Sequence, residues 1–243
     1  MGPLTPQDVM SIATLDELRQ IAPEQLDHDI SEAEFRHILG LCDALWMHDG
    51  DPAKPHAKLT SGACSDGYVN CSQALRLPTV GAIMGRQATR ALREVYGGPV
   101  DWVVGSAYAS ILFSYEVARQ LGAEHGYTEK AVIDGQEAQT FKRFEIPEGA
   151  VVLDAEELMT TSTTAQRVLE GVNRDNPHQV EWGAPLLVLV HRSDVLEFDN
   201  RPVAYAYHLD IKTFLPADCP LCRQGSEPLP PKANWAELMG RAA

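Results

Sequence analysis

Long apolar runs are absent from this chain. No stretch approaches the ~20 residues that a membrane-spanning helix needs, so no membrane association is expected. Positive charge is scarce as well: 20 Lys and Arg stand against 34 Asp and Glu, a net charge of −14 over 243 residues. That balance argues against a general nucleic-acid binder, whose affinity rests on excess Lys and Arg. It leaves room for a small anionic substrate, because helix amides, a few cations and Mg²⁺ can reverse the field inside one pocket. Cysteines are few and odd in number, at positions 42, 64, 71, 219 and 222. Such a scattered set fits a reduced, cytoplasmic protein rather than a disulfide framework. The first residues, Met1-Gly-Pro-Leu-Thr-Pro-Gln-Asp, lack the basic and apolar regions of a secretory leader, and their prolines spoil a myristoylation pattern. Repeats and low-complexity tracts are also missing. What is present, 44% hydrophobic and 22% charged residues, fits a globular protein with one large domain, or one domain with a small appendage.

Residues 5–49 read as helical. Thr5-Pro6 suits a cap followed by a first-turn proline, Leu15, Leu18, Ile21 and Leu26 are spaced for one face, and Ser31-Glu-Ala-Glu34 resembles a capping box. Asp49-Gly-Asp-Pro is a turn. Helical spacing returns from Val80 to Tyr96. Val100–Val104 is an apolar strand, Gly105–Ser110 a loop of small residues, and Ile111–Leu121 a helix stopped by Gly122. Residues 126–149 read as a mobile loop or a hairpin. Val151–Ala155 is the next strand, Thr164–Val172 the next helix, and Pro185–Val190 a strand for the middle of a parallel sheet. Val203–Tyr207 and Leu209–Phe214 alternate like an edge strand or hairpin, and Pro216–Pro231 reads as irregular.

The segment that carries chemistry is Val151-Val-Leu-Asp-Ala-Glu-Glu-Leu-Met-Thr-Thr-Ser-Thr-Thr164. An apolar strand delivers two adjacent carboxylates, Glu156 and Glu157. The hydroxyls of Thr160, Thr161, Ser162, Thr163 and Thr164 follow, and a helix begins behind them. Acids at a strand end can face ribose hydroxyls, and hydroxyls with free helix amides can face a phosphate. A strand end with solvated acids and a helix cap is the plainer explanation of the same residues.

This order resembles the ribose-5-phosphate loop of type I phosphoribosyltransferases, and further segments match in the family's own sequence. Leu59-Thr-Ser-Gly-Ala-Cys-Ser-Asp-Gly-Tyr-Val-Asn70 resembles the base-recognition segment of orotate phosphoribosyltransferases, which implies Ser61, Gly62 and Tyr68 as base contacts. Val103-Val-Gly-Ser-Ala-Tyr-Ala-Ser110 stands where that family has its pyrophosphate loop, implying Gly105, Ser106 and Ala107. Tyr127–Lys130 and Thr140–Gly149 resemble its flexible catalytic loop, implying Lys130 as the catalytic cation, with Lys142 and Arg143 as substrate contacts. A solvated face explains Lys142-Arg143 equally well. The resemblance departs at Ala109, Ser110, Ser162 and Thr163, where the family has glycine, and at Glu157, where Asp is usual.

Cys219-Pro-Leu-Cys222 recurs at the C-terminus of one bacterial class of these enzymes. It is a lone CxxC, and a structural zinc usually wants four ligands. His191, His208 and Cys64 are the remaining donors considered, and no metal ligand is assigned.

The resemblance covers about residues 40–231. It implies an α/β fold of the type I phosphoribosyltransferase kind, a mainly parallel central sheet flanked by helices with a small hood. The expected division is an N-terminal helical extension over 1–40, the phosphoribosyltransferase domain over 41–231 with a hood from its N- and C-terminal parts, and a tail over 232–243. It further implies a homodimer that uses Mg²⁺, joins orotate to 5-phosphoribosyl 1-diphosphate and releases orotidine 5′-phosphate and pyrophosphate, with Glu156, Glu157 and Lys130 as catalytic residues. Another base, or a non-catalytic diphosphate-binding regulator, are the alternatives.

Overall fold

The computed structural model describes residues 2–241. Its first helices are fixed locally. α1 (Pro6–Ser11) and α2 (Leu15–Arg19) each open with reciprocal side-chain bonds, Thr5 with Asp8 and Thr14 with Glu17. A 3₁₀ turn at Pro23–Gln25 then redirects the chain, so Ile21 and Leu26 do not continue the face of α2. α3 (Glu32–Leu41) begins behind Ser31, which exchanges hydrogen bonds with Glu34 as its sequence implies. Beyond it the helical expectation fails: Asp43 takes a left-handed φ of 54°, and Leu45–Met47 is a strand, β1.

β2 (His56–Lys58), β3 (Cys64–Ser65), β4 (Gly67–Val69) and α4 (Cys71–Leu75) come next. α5 (Pro78–Val95) starts on its proline. β5 (Trp102–Gly105) leads into α6 (Ala109–Leu121), which Gly122 ends at φ 70°. β6 (Glu124–Tyr127) precedes β7 (Glu129–Ile133) and β8 (Gln136–Thr140), then β9 (Val152–Met159), α7 (Thr163–Asp175) and β10 (Leu186–His191). β11 (Glu197–Phe198), β12 (Arg201–His208), β13 (Thr213–Phe214), α8 (Pro220–Arg223), β14 (Pro228–Leu229) and α9 (Trp235–Leu238) complete the order.

The chain divides into two compact units. One holds the described residues up to Phe35 together with Leu75–Leu209, and the other holds Arg36–Ala74 with the chain from Asp210 onward. The first is built on a six-stranded sheet in the order β11-β12-β10-β9-β5-β6, parallel except for β11. All six residues of β10 are buried, as a central parallel strand requires. α5 and α6 pack on each other and on the sheet, and Val168 and Val172 of α7 join Val104, Val152, Phe141 and Ile146 in an apolar cluster.

Several expectations are corrected. β9 runs on to Met159, so Glu156 and Glu157 sit within the strand rather than after it. The 126–149 segment contains a true hairpin, turned by Asp134-Gly135 at φ 52° and 79°. Its approach, β6, is a parallel strand that polar Glu124 and His125 concealed. Residues 203–214 are not a hairpin: β12 runs parallel to β10, and β13 belongs to the second unit. That unit holds a four-stranded sheet, β13-β3-β2-β14, and the antiparallel pair β1-β4. Pro216–Pro231 contains α8 and β14 rather than irregular chain alone. Among the described residues no helix is long and apolar enough to cross a membrane.

Candidate active site

The sheet order decides where a ligand crevice can open. β5 is followed by β6 on one side, and the chain then crosses to β9 on the other side of β5. Strand order reverses there, and an open parallel sheet offers its crevice at the carboxyl ends of two such strands. Gly105 ends β5, Ser106, Ala107 and Tyr108 form the turn after it, and Ser110 stands in the first turn of α6. The carboxyl-terminal half of β9 carries Glu156 and Glu157.

The two segments are joined by side-chain bonds. Ser106 Oγ donates to Glu156 Oε2 at 2.8 Å, and Ser110 Oγ lies 2.9 Å from the same oxygen. Ser110 Oγ also contacts Glu157 Oε2 and accepts the Glu157 amide at 3.1 Å. One hydroxyl carries one proton, so Ser110 can donate to only one of the two carboxylates at a time. Glu156 is 4% exposed, and its Oε1 is buried without a hydrogen-bond partner. Burial, then the negative charges of Asp154 and Glu157, push the Glu156 carboxyl well above the usual carboxylate range. Burial raises Glu157 too, opposed by its Ser110 bonds and the charge of Lys130. Asp154, fully buried two residues upstream, is raised to about 7 by burial, with Arg201 pulling the other way. The pair therefore holds on to a proton that isolated carboxyls would release.

Gly105 makes this arrangement possible. A Cβ there would collide with Ser114 and come within 2.8 Å of the Ser110 carbonyl. The Ala107–Tyr108 peptide is cis. Tyr108 is 76% exposed, and Lys130 Nζ lies 5.4 Å from its ring centroid. Behind the loop, His125 Nε2 meets Ser114 Oγ at 2.9 Å, and burial lowers this imidazole to about 4, which keeps it neutral.

Ser162 caps α7 with φ −80° and no side-chain bond to the helix amides. Thr161 Oγ1 donates to Thr163 Oγ1 at 3.1 Å, while Thr160, Thr161, Thr163 and Thr164 are exposed. An open groove lies between this helix start and the hairpin, lined by Gln136, Glu137, Ser162, Thr163, Gln166 and Arg167. None of Ala109, Ser110, Ser162 or Thr163 needs a positive φ, so their replacement of glycine carries no backbone strain.

The structure thus brings together Glu156, Glu157, Ser106 and Lys130, with Ala107 on the same loop. Lys142 and Arg143 leave the hairpin on the surface, where Arg143 pairs with Glu129 at 2.8 Å. Ser61, Gly62 and Tyr68 belong to the second unit. Gly62, at φ 85°, closes a turn from Leu59 to Ala63, and Tyr68 stands on β4 with its ring against Trp235. The sequence offers the backbone of Ser110 but not its hydroxyl, and it does not offer Asp154. The hydroxyl was hidden because Ser110 replaces an expected glycine, although a hydroxyl at that position was itself the signal.

No family model matches the chain. An orotate phosphoribosyltransferase of Thermoanaerobacter sp. (strain X514) is 31% identical over 173 residues, 71% of this chain and 85% of the relative. The chain belongs to the orotate phosphoribosyltransferase family. The member from Heliobacterium modesticaldum is 30% identical over 177 residues, with 72% and 88% covered. Among solved structures, the orotate phosphoribosyltransferase of Aeropyrum pernix superposes with a TM-score of 0.54 at 18% identity, over 71% of this chain and 92% of that one. The Mycobacterium tuberculosis enzyme, solved with Fe(III) dicitrate, gives 0.50 at 17% identity, over 71% and 94%. These structures share the type I phosphoribosyltransferase fold with this chain.

Proposed function

We propose that this protein is an orotate phosphoribosyltransferase: it joins orotate to the ribose C1 of 5-phosphoribosyl 1-diphosphate and releases pyrophosphate, a step of pyrimidine nucleotide synthesis. The observation that carries the reading is the junction of the β5 loop and the acidic pair through Ser106 and Ser110, at the sheet's reversal point, in a chain of this family.

In the reaction the C1–oxygen bond to pyrophosphate breaks as the C1–nitrogen bond forms, and positive charge grows on the ribose. Glu157, half-buried, faces the ribose hydroxyls, and Glu156 beneath it supplies a second carboxyl. Positive charge growing beside the pair lowers its proton affinity, so the retained proton passes to solvent, and both carboxylates then favour that charge more than they favour the neutral sugar. The amides of Gly105, Ser106 and Ala107 receive the pyrophosphate. The unblocked start of α7, with Thr160 to Thr164, receives the 5-phosphate. Lys130 balances charge on the departing group. Lys142 and Arg143 serve as further phosphate contacts, and Ser61, Gly62 and Tyr68 contact the base.

The acidic pair also fits Mg²⁺, since the unpartnered Glu156 Oε1 and the Glu157 carboxylate are hard oxygen donors of the kind that ion takes. Glu156 and Glu157 would hold it together with the diphosphate, and it would neutralise leaving-group charge. We further read the protein as cytoplasmic and homodimeric, with the second unit as the hood; five free cysteines support the first point.

The test is direct. Purified protein is mixed with orotate, 5-phosphoribosyl 1-diphosphate and Mg²⁺, and loss of orotate absorbance is followed. Turnover is expected. Calorimetric binding of the diphosphate without turnover would leave a sensor in place of an enzyme, and turnover with a different base alone would remove orotate.

A further inference from the structure

The second unit contains a cluster that the reaction does not use. His56 on β2, Cys64 on β3, and Cys219 and Cys222 at the start of α8 converge, with one donor atom from each lying within 4.8 Å of all the others. His56, Cys64 and Cys219 are 0%, 1% and 0% exposed. We infer that these four side chains form a structural zinc site of the Cys₃His type.

The spacing is that of a coordination polyhedron. Zinc–sulfur bonds of about 2.3 Å and zinc–nitrogen bonds of about 2.0–2.1 Å, opened to tetrahedral angles, set donors roughly 3.8 Å apart for two sulfurs and roughly 3.6 Å for sulfur and nitrogen. Cys64 Sγ and Cys222 Sγ stand 3.7 Å apart. His56 Nε2 lies 3.7 Å from Cys219 Sγ and 3.4 Å from Cys222 Sγ. A disulfide would require about 2.05 Å between sulfurs, and all of these cysteines are free thiols.

The imidazole is also held in the form a metal needs. Ser226 Oγ donates its one proton to the Lys54 carbonyl at 2.6 Å. It lies 2.8 Å from His56 Nδ1, so toward the ring it can only accept, and Nδ1 must carry the hydrogen. The lone pair is thereby placed on Nε2, the atom facing the sulfurs. The Cys222 amide donates to Cys219 Sγ at 3.5 Å, a bond that supports a thiolate. Redox service suits the pair poorly, because Cys219 at the helix start has no exposed surface from which to attack a disulfide. Binding one Zn²⁺ expels up to three thiol protons and leaves a net site charge of −1.

The sequence offers His191 and His208 beside Cys64 as further donors. The fold retains Cys64 but commits those histidines to each other, Nδ1 to Nδ1 at 3.2 Å on β10 and β12. His56, 163 residues before Cys219, had no spacing signal to reveal it.

The experiment uses the full chain, expressed with zinc and purified without chelators. Elemental analysis should find about one zinc per chain, and Co²⁺ substitution should give the visible bands of tetrahedral cobalt with thiolate charge transfer. Ser226→Ala keeps all four ligands and should weaken zinc retention against a competing chelator about 10-fold or more. Cys219→Ser should drop the zinc content below about one tenth per chain. Should Cys219→Ser fail to fold, wild-type protein stripped of metal and titrated with Zn²⁺ gives the decisive reading, a rise in Tm. A chain that neither carries zinc nor gains stability from it overturns the proposal. So does cobalt without thiolate bands, or a Cys219–Cys222 disulfide found by peptide mapping of metal-free protein.

Discussion

Ser110 shows how a departure from a family pattern can carry its own chemistry. Where the resemblance leads one to expect a glycine, this chain places a hydroxyl that touches both acids and accepts the Glu157 amide. The acids themselves were readable, because adjacent carboxylates on an apolar strand are rare without a task. Their shared proton was not readable, since it depends on burial and on Asp154 beneath them. Glu156→Gln is therefore the informative substitution. Turnover should fall about 100-fold or more, the scale on which a preorganised charge-stabilising group acts; a rate within about threefold of wild type would place the ribose elsewhere. The same variant has a pH signature. Folded Glu156 keeps its proton to higher pH than in the unfolded chain, so between the two values the folded state binds more protons and stability falls as pH rises. The buried histidines, His125 above all, have lowered values and act in the opposite sense, but only below about pH 6.5. Above about pH 6.5 the wild-type Tm should decline for as long as the folded pair keeps its proton, and Glu156→Gln should make that decline shallower, Asp154 and Glu157 supplying the remainder. An equal slope in both proteins would contradict the buried-proton account.

At the scale of elements, β5, α5, α6, α7 and β10 were legible because their signals are local: apolar runs, helical spacing, and Gly122 as a stop. The hairpin was half legible, since Asp134-Gly135 is a strong two-residue turn, but its strands are polar and exposed. β6 and β12 were missed or misassigned because pairing with a buried neighbour, rather than their own pattern, makes them parallel strands. The junction of β5 with α6 depends on one close approach. Gly105→Ala would drive a methyl group against Ser114 and the Ser110 carbonyl, and should destabilise the protein by about 2 kcal/mol, the usual scale of overpacking. Denaturant titration measures it. Because the shift displaces Ser110, activity should fall further than the unfolded fraction explains. Unchanged stability would mean that the loop has room which the backbone geometry denies.

At the scale of the molecule, the homodimer is tested by light scattering on the purified chain, where a mass of twice the single chain is expected. A monomer at micromolar concentration with full activity would exclude a site shared between copies. The exposed Leu112 and Tyr115 of α6 are the surface to substitute if the dimer forms. Composition gives no sign of two units, and only the resemblance implies a hood; the second unit is assembled from segments far apart in sequence. That assembly has a consequence for synthesis. β2 and β3 leave the ribosome early, yet their partners β14 and β13 are the last strands made. At roughly 5–20 residues per second, the early strands wait on the order of ten seconds or more with unpaired edges, while the whole parallel sheet is translated between them. Chains that stop short of β13 already contain Glu156 and Glu157 but never complete the β13-β3-β2-β14 sheet, and their open strand edges make them the natural targets of chaperones and proteases.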